Sequence, residues 1–131
     1  MKKSFSYAPN PFKKMPRSVK KLAVANAIYV TNTDKDGNKI SLKEFKRRTD
    51  EVEKKFIYFF GGITNDEINH GHFKSAKNKI LTEKVARIAS FAEAKVFRKH
   101  RKELESWILT KKKEWNQEAI AYEFEGDLYY I

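Results

Sequence analysis

A helix with a recognisable signal at each end is the sequence feature that most constrains the fold of this chain. Ser41 and Glu44 have the spacing of a capping box, in which both side chains satisfy free amides at a helix start. Gly61 can take the left-handed conformation that ends a helix. We therefore predict a helix over residues 41–60. Its mostly apolar stripe, with alternating spacings of three and four, consists of Leu42, Phe45, Thr49, Val52, Phe56 and Phe59.

Regular hydrophobic patterns on both sides of this helix predict the remaining elements. Apolar side chains that recur at every second residue indicate strands. The predicted strands cover residues 21–31, 63–73, 80–91, 118–124 and 128–131, although residues 63–73 are polar and poorly patterned. The second and third of these form one hairpin, and the last two form a tight hairpin at the C-terminus. A second helix is predicted over residues 92–115 from the helical spacing of Phe97, Leu104, Ile108 and Trp115.

The order strand, helix, strand, strand, helix, strand predicts an α+β fold. Helices that fall between strands connect them by crossovers, and right-handed crossovers place both helices on one face of the sheet. The predicted architecture is a ferredoxin-like βαββαβ sandwich, with a four-stranded antiparallel sheet in the order 4-1-3-2 and a C-terminal hairpin. The other sheet face stays open to a ligand, to nucleic acid or to a second copy, so a homodimer is one expectation.

Length and charge divide the chain into two parts. The 131 residues suffice for one hydrophobic core and hardly for two. Residues 1–21 carry seven of the eleven net positive charges, contain all three prolines and have no helical or strand period. We therefore predict a basic, flexible arm over residues 1–21 and a single ferredoxin-like domain over residues 22–131.

The positive charge predicts a polyanionic partner. A basic arm and a helix with a basic outer face can follow a phosphate backbone or an acidic protein surface. We therefore interpret the chain as a non-enzymatic basic protein that binds nucleic acid or a nucleoprotein complex. The predicted binding residues are Lys13, Lys14, Arg17, Lys20 and Lys21 in the arm, Tyr29 on the first strand, and Lys95, Arg98, Lys99, Lys102, Lys112 and Lys113 on the second helix.

One short motif on the first strand resembles RNA-recognition domains. The run Ile28-Tyr29-Val30-Thr31-Asn32 is similar to the first-strand motif of that family, in which an exposed aromatic ring stacks on a base. The resemblance implies a base-stacking role for Tyr29. The stronger third-strand motif of the family needs a glycine and two exposed aromatic residues, which residues 82–88 do not contain.

A second resemblance extends over most of residues 28–131. The chain resembles a family of short, uncharacterised bacterial and phage proteins in several segments. They are Tyr29-Val30, Asp36-Gly37-Asn38, Phe60-Gly61-Gly62-Ile63-Thr64, a strand centred on Gly71, Thr82-Glu83-Lys84-Val85 and Asn116-Gln117-Glu118-Ala119. This chain departs from the family in its basic arm and at Gly71-His72-Phe73, where a glycine and a tryptophan often occur. The resemblance implies a ferredoxin-like domain of phage or mobile-element origin, and it implies no particular activity.

Candidate catalytic and metal-binding groups are few. His70 and His72 would share one face of a strand, which is a spacing that metal sites use, although solvated surface histidines are the alternative. Glu83 on the third strand predicts either a salt bridge to Arg87, which we favour, or a proton carrier. Nucleophile motifs, phosphate-binding glycine loops and paired catalytic carboxylates are absent from the sequence, so we expect no catalytic residue and no cofactor.

Two further functions fit the composition. A phage inhibitor of a host defence protein, similar in role to an anti-CRISPR, would use aromatic anchors. These would be Phe5, Tyr7, Phe12, Tyr129 and Tyr130. A small-ligand binder or hydrolase would use the open sheet face and the histidine pair. The chain has no cysteine, and its most apolar run, residues 22–30, is much shorter than the roughly 20 residues of a membrane span, so we expect a soluble cytoplasmic protein without a membrane partner.

Overall fold

Two helices and five strands make up the described part of the chain. The computed structural model describes residues 24–74 and 80–131, with residues 67–74 and 80–82 described by their backbone alone. The predicted arm, residues 1–21, lies outside the described residues. The elements are β1 (Val24–Thr31), α1 (Leu42–Phe60), β2 (Thr64–Lys74), β3 (Ile80–Ala92), α2 (Ala94–Glu114), β4 (Ala121–Phe124) and β5 (Asp127–Tyr130).

All five described strands form one antiparallel sheet in the order β2-β3-β1-β4-β5. The predicted α+β class, with two helices and an antiparallel sheet, is confirmed. The predicted count of four strands is wrong, because β5 pairs with β4 and extends the sheet at its edge. The turn between them contains Glu125 at φ 51° and Gly126 at φ 85°, and two successive positive φ angles are typical of a tight two-residue hairpin turn.

The two ends of α1 lie where their sequence signals predict them. The Oγ atom of Ser41 accepts a 3.0 Å hydrogen bond from the N–H of Glu44. Gly61, at φ 86°, is the left-handed C-cap residue. Arg47 and Arg48 both donate hydrogen bonds to the carboxylate of Glu44. These bonds, of which the one from Arg47 has the larger effect, lower the pKa of Glu44 to about 2. The first turn of α1 is therefore held by both a cap and ion pairs.

The buried stripe of α1 differs from the prediction at two positions. Leu42, the first residue of the helix, is 69% exposed and lies outside the core cluster. Arg48 is buried instead, with its guanidinium carbon 5.5 Å from the centre of the Trp115 ring. An arginine tolerates this position because its stem is apolar and its planar head stacks on an aromatic ring.

The core lies between the two helices and one face of the sheet. It includes side chains of α1 and α2 together with Val24, Ile28, Val30, Ala86, Ile88 and Ala92 from the even-numbered positions of β1 and β3. Successive side chains of a strand point to opposite faces, so the odd-numbered residues of β1 and β3 lie on the face away from the helices. Neither helix in the described ranges combines the length and the apolar character that a membrane span requires.

Candidate functional site

The sheet face away from the helices carries four polar side chains from four strands. Arg87 on β3 lies opposite Asp66 on β2 and opposite Tyr29 on β1. Glu123 on β4 lies opposite Ala27, which shares the face of Tyr29. We refer to Tyr29, Asp66, Arg87 and Glu123 as the open-face cluster. Both described helices pack on the other face of the sheet, so neither of them covers this cluster.

Hydrogen bonds and ion pairs connect the four side chains of the cluster. The hydroxyl of Tyr29 donates a 2.7 Å hydrogen bond to Oε1 of Glu123. Arg87 donates to both oxygens of the same carboxylate, from Nε at 3.1 Å and from Nη2 at 2.8 Å. Its Nη1 atom lies 3.5 Å from Oδ2 of Asp66. The guanidinium group is thus held between two carboxylates, in a geometry that fixes its plane.

These contacts determine the protonation states of the cluster. The hydrogen-bonded guanidinium of Arg87 lowers the pKa of Glu123 below its ordinary value. Burial, followed by the hydrogen bond to Glu123, raises the pKa of Tyr29. The hydrogen bond to Glu123 likewise raises the pKa of Arg87. Near neutral pH, Glu123 is therefore an anion, Tyr29 is a neutral phenol and Arg87 is a cation.

The charge of the open-face cluster is opposite in sign to that of the whole chain. The carboxylates of Asp66 and Glu123 outnumber the guanidinium of Arg87 and leave one net negative charge, whereas the chain carries +11. The side chain of Asp66 is 59% exposed and that of Glu123 is 20% exposed. Asp66 is therefore the more exposed of the two anions of the cluster.

Glu83 lies on the same face of β3 as Arg87 but does not pair with it. The predicted salt bridge between the two is wrong, because Arg87 is held by Glu123 and Asp66. Glu83 accepts a hydrogen bond from Oγ1 of Thr33, and burial raises its pKa. Four residues along a strand correspond to roughly 13 Å, so Glu83 forms a separate polar site at the other end of the open face.

Among the residues that the structure describes, Tyr29 and the predicted α2 cations do not lie together. Tyr29 lies on the open face, whereas α2 packs on the other face of the sheet. The α2 cations Lys95, Arg98, Lys99, Lys102 and Lys113 are exposed, and Lys112 is half-buried. Lys13, Lys14, Arg17, Lys20 and Lys21 lie outside the described residues. Tyr29 and the α2 cations therefore cannot contribute to one continuous binding surface.

The predicted histidine pair lies on β2. His70 and His72 flank Gly71, and the register between β2 and β3 shifts between Ile68 and Gly71. The side chains of this segment lie outside the described part of the structure, so the metal role of the pair stays a prediction. Among the side chains that the structure describes, no group of three or more His, Cys, Asp or Glu residues could hold a metal ion.

Sequence reasoning identifies Tyr29 and misses the other three members of the cluster as site residues. The alternating pattern over residues 118–124 places Glu123 on one side of a strand with Ala119 and Ala121, and this isolated charge is the signal that could have found it. Its partners depend on the register of β4 and β3 against β1. That register follows from the packing of the whole sheet, so no local pattern reveals it.

Comparisons with known proteins identify one similar fold. No protein-family model matches the chain, and no curated protein matches it. A solved structure that is similar to this chain is a phage SAM lyase in complex with S-methyl-5'-thioadenosine. The TM-score is 0.60 at 14% sequence identity, and the match covers 89% of this chain and 94% of that chain. At this identity the likeness shows a shared fold.

This finding overturns the prediction of a non-enzymatic protein that binds nucleic acid or a nucleoprotein complex, which is wrong. The matched structure is that of a lyase with a small nucleoside bound. The prediction relied on net charge, and most of that charge lies in residues 1–21, outside the described residues. Nor does the comparison support the alternative of a host-defence inhibitor. Its result agrees better with the small-ligand alternative.

Proposed function

We propose that this chain binds S-adenosylmethionine (SAM) on the open face of its sheet and cleaves it, as a SAM lyase-like enzyme. The observation that carries the proposal is the open-face cluster, in which a phenol, a guanidinium and two carboxylates from four strands are held in contact. The fold shared with the phage SAM lyase supports it. The proposal replaces nucleic acid with a small molecule as the partner.

The charges of the cluster complement those of SAM, which has a sulfonium cation, an α-ammonium group and an α-carboxylate. Nη1 of Arg87 has the longest protein contact of the three guanidinium nitrogens, so it is the donor that the proposal assigns to the α-carboxylate. The exposed carboxylate of Asp66 receives the α-ammonium group. The ring of Tyr29 lies beside the sulfonium, since cations are attracted to aromatic faces.

The protonation states of the cluster favour a cleavage that needs no proton transfer. Arg87 keeps Glu123 ionised, and burial keeps Tyr29 protonated, so neither group is suited to accept or donate a proton near pH 7. In the proposed step an oxygen of the substrate's own α-carboxylate attacks its γ-carbon. The C–O bond forms as the C–S bond breaks, and the electron pair goes to sulfur. The products are homoserine lactone and neutral S-methyl-5'-thioadenosine, and the protein contributes orientation.

The finer features of fold and origin are part of the same proposal. We take the architecture as a ferredoxin-like sandwich to which β5 adds an edge strand. Membership of the short bacterial and phage family that the sequence resembles, and with it a phage origin, is also proposed. A two-fold homodimer stays a prediction, which the molecular mass in solution would test.

Turnover of SAM tests the proposed function. The purified full chain should consume SAM and release an equal amount of S-methyl-5'-thioadenosine, measured by liquid chromatography. Arg87→Gln should lower the rate roughly tenfold or more, because the carboxylate of the substrate loses its charged donor. Arg98→Gln, which removes an exposed arginine on α2, is the matched control and should keep the wild-type rate. Failure of the wild type to bind SAM would refute the proposal, and binding without turnover would refute its cleavage step.

A further inference from the structure

A cleft of about 360 Å³ lies where the C-terminus of α1 meets the sheet. It is lined by residues 60–64, which connect α1 to β2, and by residues 89–91 near the end of β3. Sites for small ligands have volumes of roughly 300–1,000 Å³, so this cleft has room for one ring system of moderate size.

Two phenylalanine rings form apolar parts of the cleft wall. Phe60 is fixed by a T-shaped contact with Phe56, with ring centres 5.4 Å apart, and by a stacked contact with Phe97 at 6.0 Å. Phe91 is 58% exposed on the open face of the sheet. One wall is therefore rigid, and the other presents an aromatic surface on which a flat ligand can stack.

The polar groups of the cleft are neutral. The hydroxyl of Ser90 donates a 2.7 Å hydrogen bond to the carbonyl oxygen of Gly62, which ties the α1–β2 connection to β3. Thr64 adds a second hydroxyl. None of the described residues that line the cleft carries a charge. The lining therefore suits a neutral planar ring with polar edges and disfavours an ion, which would lose its hydration without a partner.

Gly62 keeps the space beside this connection free. Gly61 needs to be a glycine because it is left-handed at φ 86°, but Gly62 is not among the residues with positive φ. A Cβ atom added at Gly62 would meet no heavy atom within 4 Å. A Cβ atom at Gly62 therefore fits the fold, and we expect a larger side chain there to occupy part of the cleft that Gly62 lines.

The cleft lies next to the open-face cluster along β2 and β3. Ala89, in the cleft, lies two residues from Arg87 on the same face of β3, which corresponds to roughly 7 Å. On β2, Thr64 of the cleft likewise lies two residues from Asp66 of the cluster. Thr64 is opposite Ala89, and Asp66 is opposite Arg87. A neutral aromatic site thus adjoins a charged one, at a separation that one ligand with a flat ring and a charged tail can span.

We infer that this cleft binds the purine base of an adenosyl ligand, stacked on Phe91, while the open-face cluster holds the charged tail. The inference rests on the proposed function and adds to it the part of the molecule that recognises the nucleoside. It also explains why the site would accept S-methyl-5'-thioadenosine, which has the purine and no charged tail. The affinity for this neutral nucleoside then depends chiefly on the cleft and not on Arg87.

Two ligands and three variants test the inference by isothermal titration calorimetry with the full chain. Phe91→Ala and Gly62→Leu should weaken the binding of both SAM and S-methyl-5'-thioadenosine, by roughly five- to a hundredfold for the lost stacking at Phe91. Arg87→Gln should weaken the binding of SAM. It should change the affinity for S-methyl-5'-thioadenosine by no more than about twofold, since that ligand has no carboxylate. Tyr58→Ala, which removes an aromatic ring that is 69% exposed on α1, is the control and should change neither affinity.

The outcomes separate this inference from the proposed function. One possible result is that Arg87→Gln weakens the binding of SAM, whereas Phe91→Ala and Gly62→Leu leave it unchanged. That result would overturn the purine site and keep the proposed function. Wild-type protein that binds neither ligand would overturn both. Thermal unfolding of each variant accompanies the titrations, and Gly62→Leu is expected to unfold within a few degrees of the wild type because the space beside Gly62 is free for its Cβ atom.

Discussion

The hydroxyl of Tyr29 donates a 2.7 Å hydrogen bond to Oε1 of Glu123, which lies 94 positions further along the chain. Arg87 binds both oxygens of the same carboxylate, so β1, β3 and β4 each contribute one member of a connected unit. These side chains are far apart in the sequence and come into contact only through the register of the sheet. The proposed function depends on that contact.

Removing the Tyr29 hydroxyl tests this contact. Tyr29→Phe should lower the free energy of unfolding by about 1 kcal/mol, because one hydrogen bond is lost while Glu123 keeps its ion pair with Arg87. Urea denaturation measures the change. Tyr130→Phe removes a hydroxyl from a residue that is 74% exposed and should have no effect. Equal stability of both variants and the wild type would contradict a contribution of the Tyr29 bond.

The net negative charge of the cluster predicts a salt-dependent affinity for SAM. Asp66→Asn should weaken SAM binding about two- to fivefold at low salt, because its carboxylate is exposed and its attraction for a cation is partly screened. The difference from the wild type should shrink as salt is added. Asp127→Asn, an exposed change at the start of β5, is the control. An effect of Asp66→Asn that is independent of salt would argue against an electrostatic role.

Two carboxyl groups of the open face predict opposite dependences of stability on pH. Burial raises the pKa of Glu83, so the stability that this group contributes is present below its ordinary pKa and is lost as pH rises through its folded-state value. Glu83→Gln should therefore raise the melting temperature at neutral pH and have little effect in acid. Arg87 lowers the pKa of Glu123, so its contribution is lost as pH falls through that lowered value.

Glu123→Gln should accordingly lower the melting temperature at neutral pH, with the difference from the wild type disappearing in acid. Thermal unfolding from about pH 3 to about pH 8 measures both variants and brackets the ordinary carboxyl pKa. Profiles that run parallel to that of the wild type would show that neither carboxyl group has a shifted pKa.

The adjacent glycines after α1 should respond differently to alanine. Gly61→Ala should cost about 1 kcal/mol of unfolding free energy, because a Cβ atom is unfavourable at φ 86°. Gly62→Ala should change stability by less than about 0.5 kcal/mol, since it has no positive φ and an added Cβ meets no neighbour. Urea denaturation compares the pair. Similar losses at both positions would contradict the assigned cap and the free space at Gly62.

Local signals explain which parts of the fold the sequence predicts. The cap at Ser41 and the left-handed Gly61 depend on residues within one helical turn, so the bounds of α1 could be predicted closely. Asn26 shows the opposite case. It interrupts the apolar face of β1, yet it is 2% exposed and accepts a 3.2 Å hydrogen bond from Tyr122, whose position depends on the pairing of β4 with β1.

The same distinction explains the wrong prediction of function. The charge of the chain is visible in the sequence, but its distribution between two sides of a sheet is not. Lys95 and Arg98 on α2 lie away from the open face, where Arg87 is outnumbered by carboxylates. The sequence pattern likewise predicts the hairpin of β4 and β5. It does not show that this hairpin joins the main sheet, or which edge of the sheet β5 extends.

A crystal structure of the full chain with S-methyl-5'-thioadenosine is the most direct test of the claim that the open face holds the ligand. The proposed function predicts electron density for the thioether beside Tyr29 and Glu123, and the inferred purine site places the purine ring against Phe91. Density for the nucleoside on the helix-covered side of the sheet, or at any surface away from β1 and β3, would contradict it.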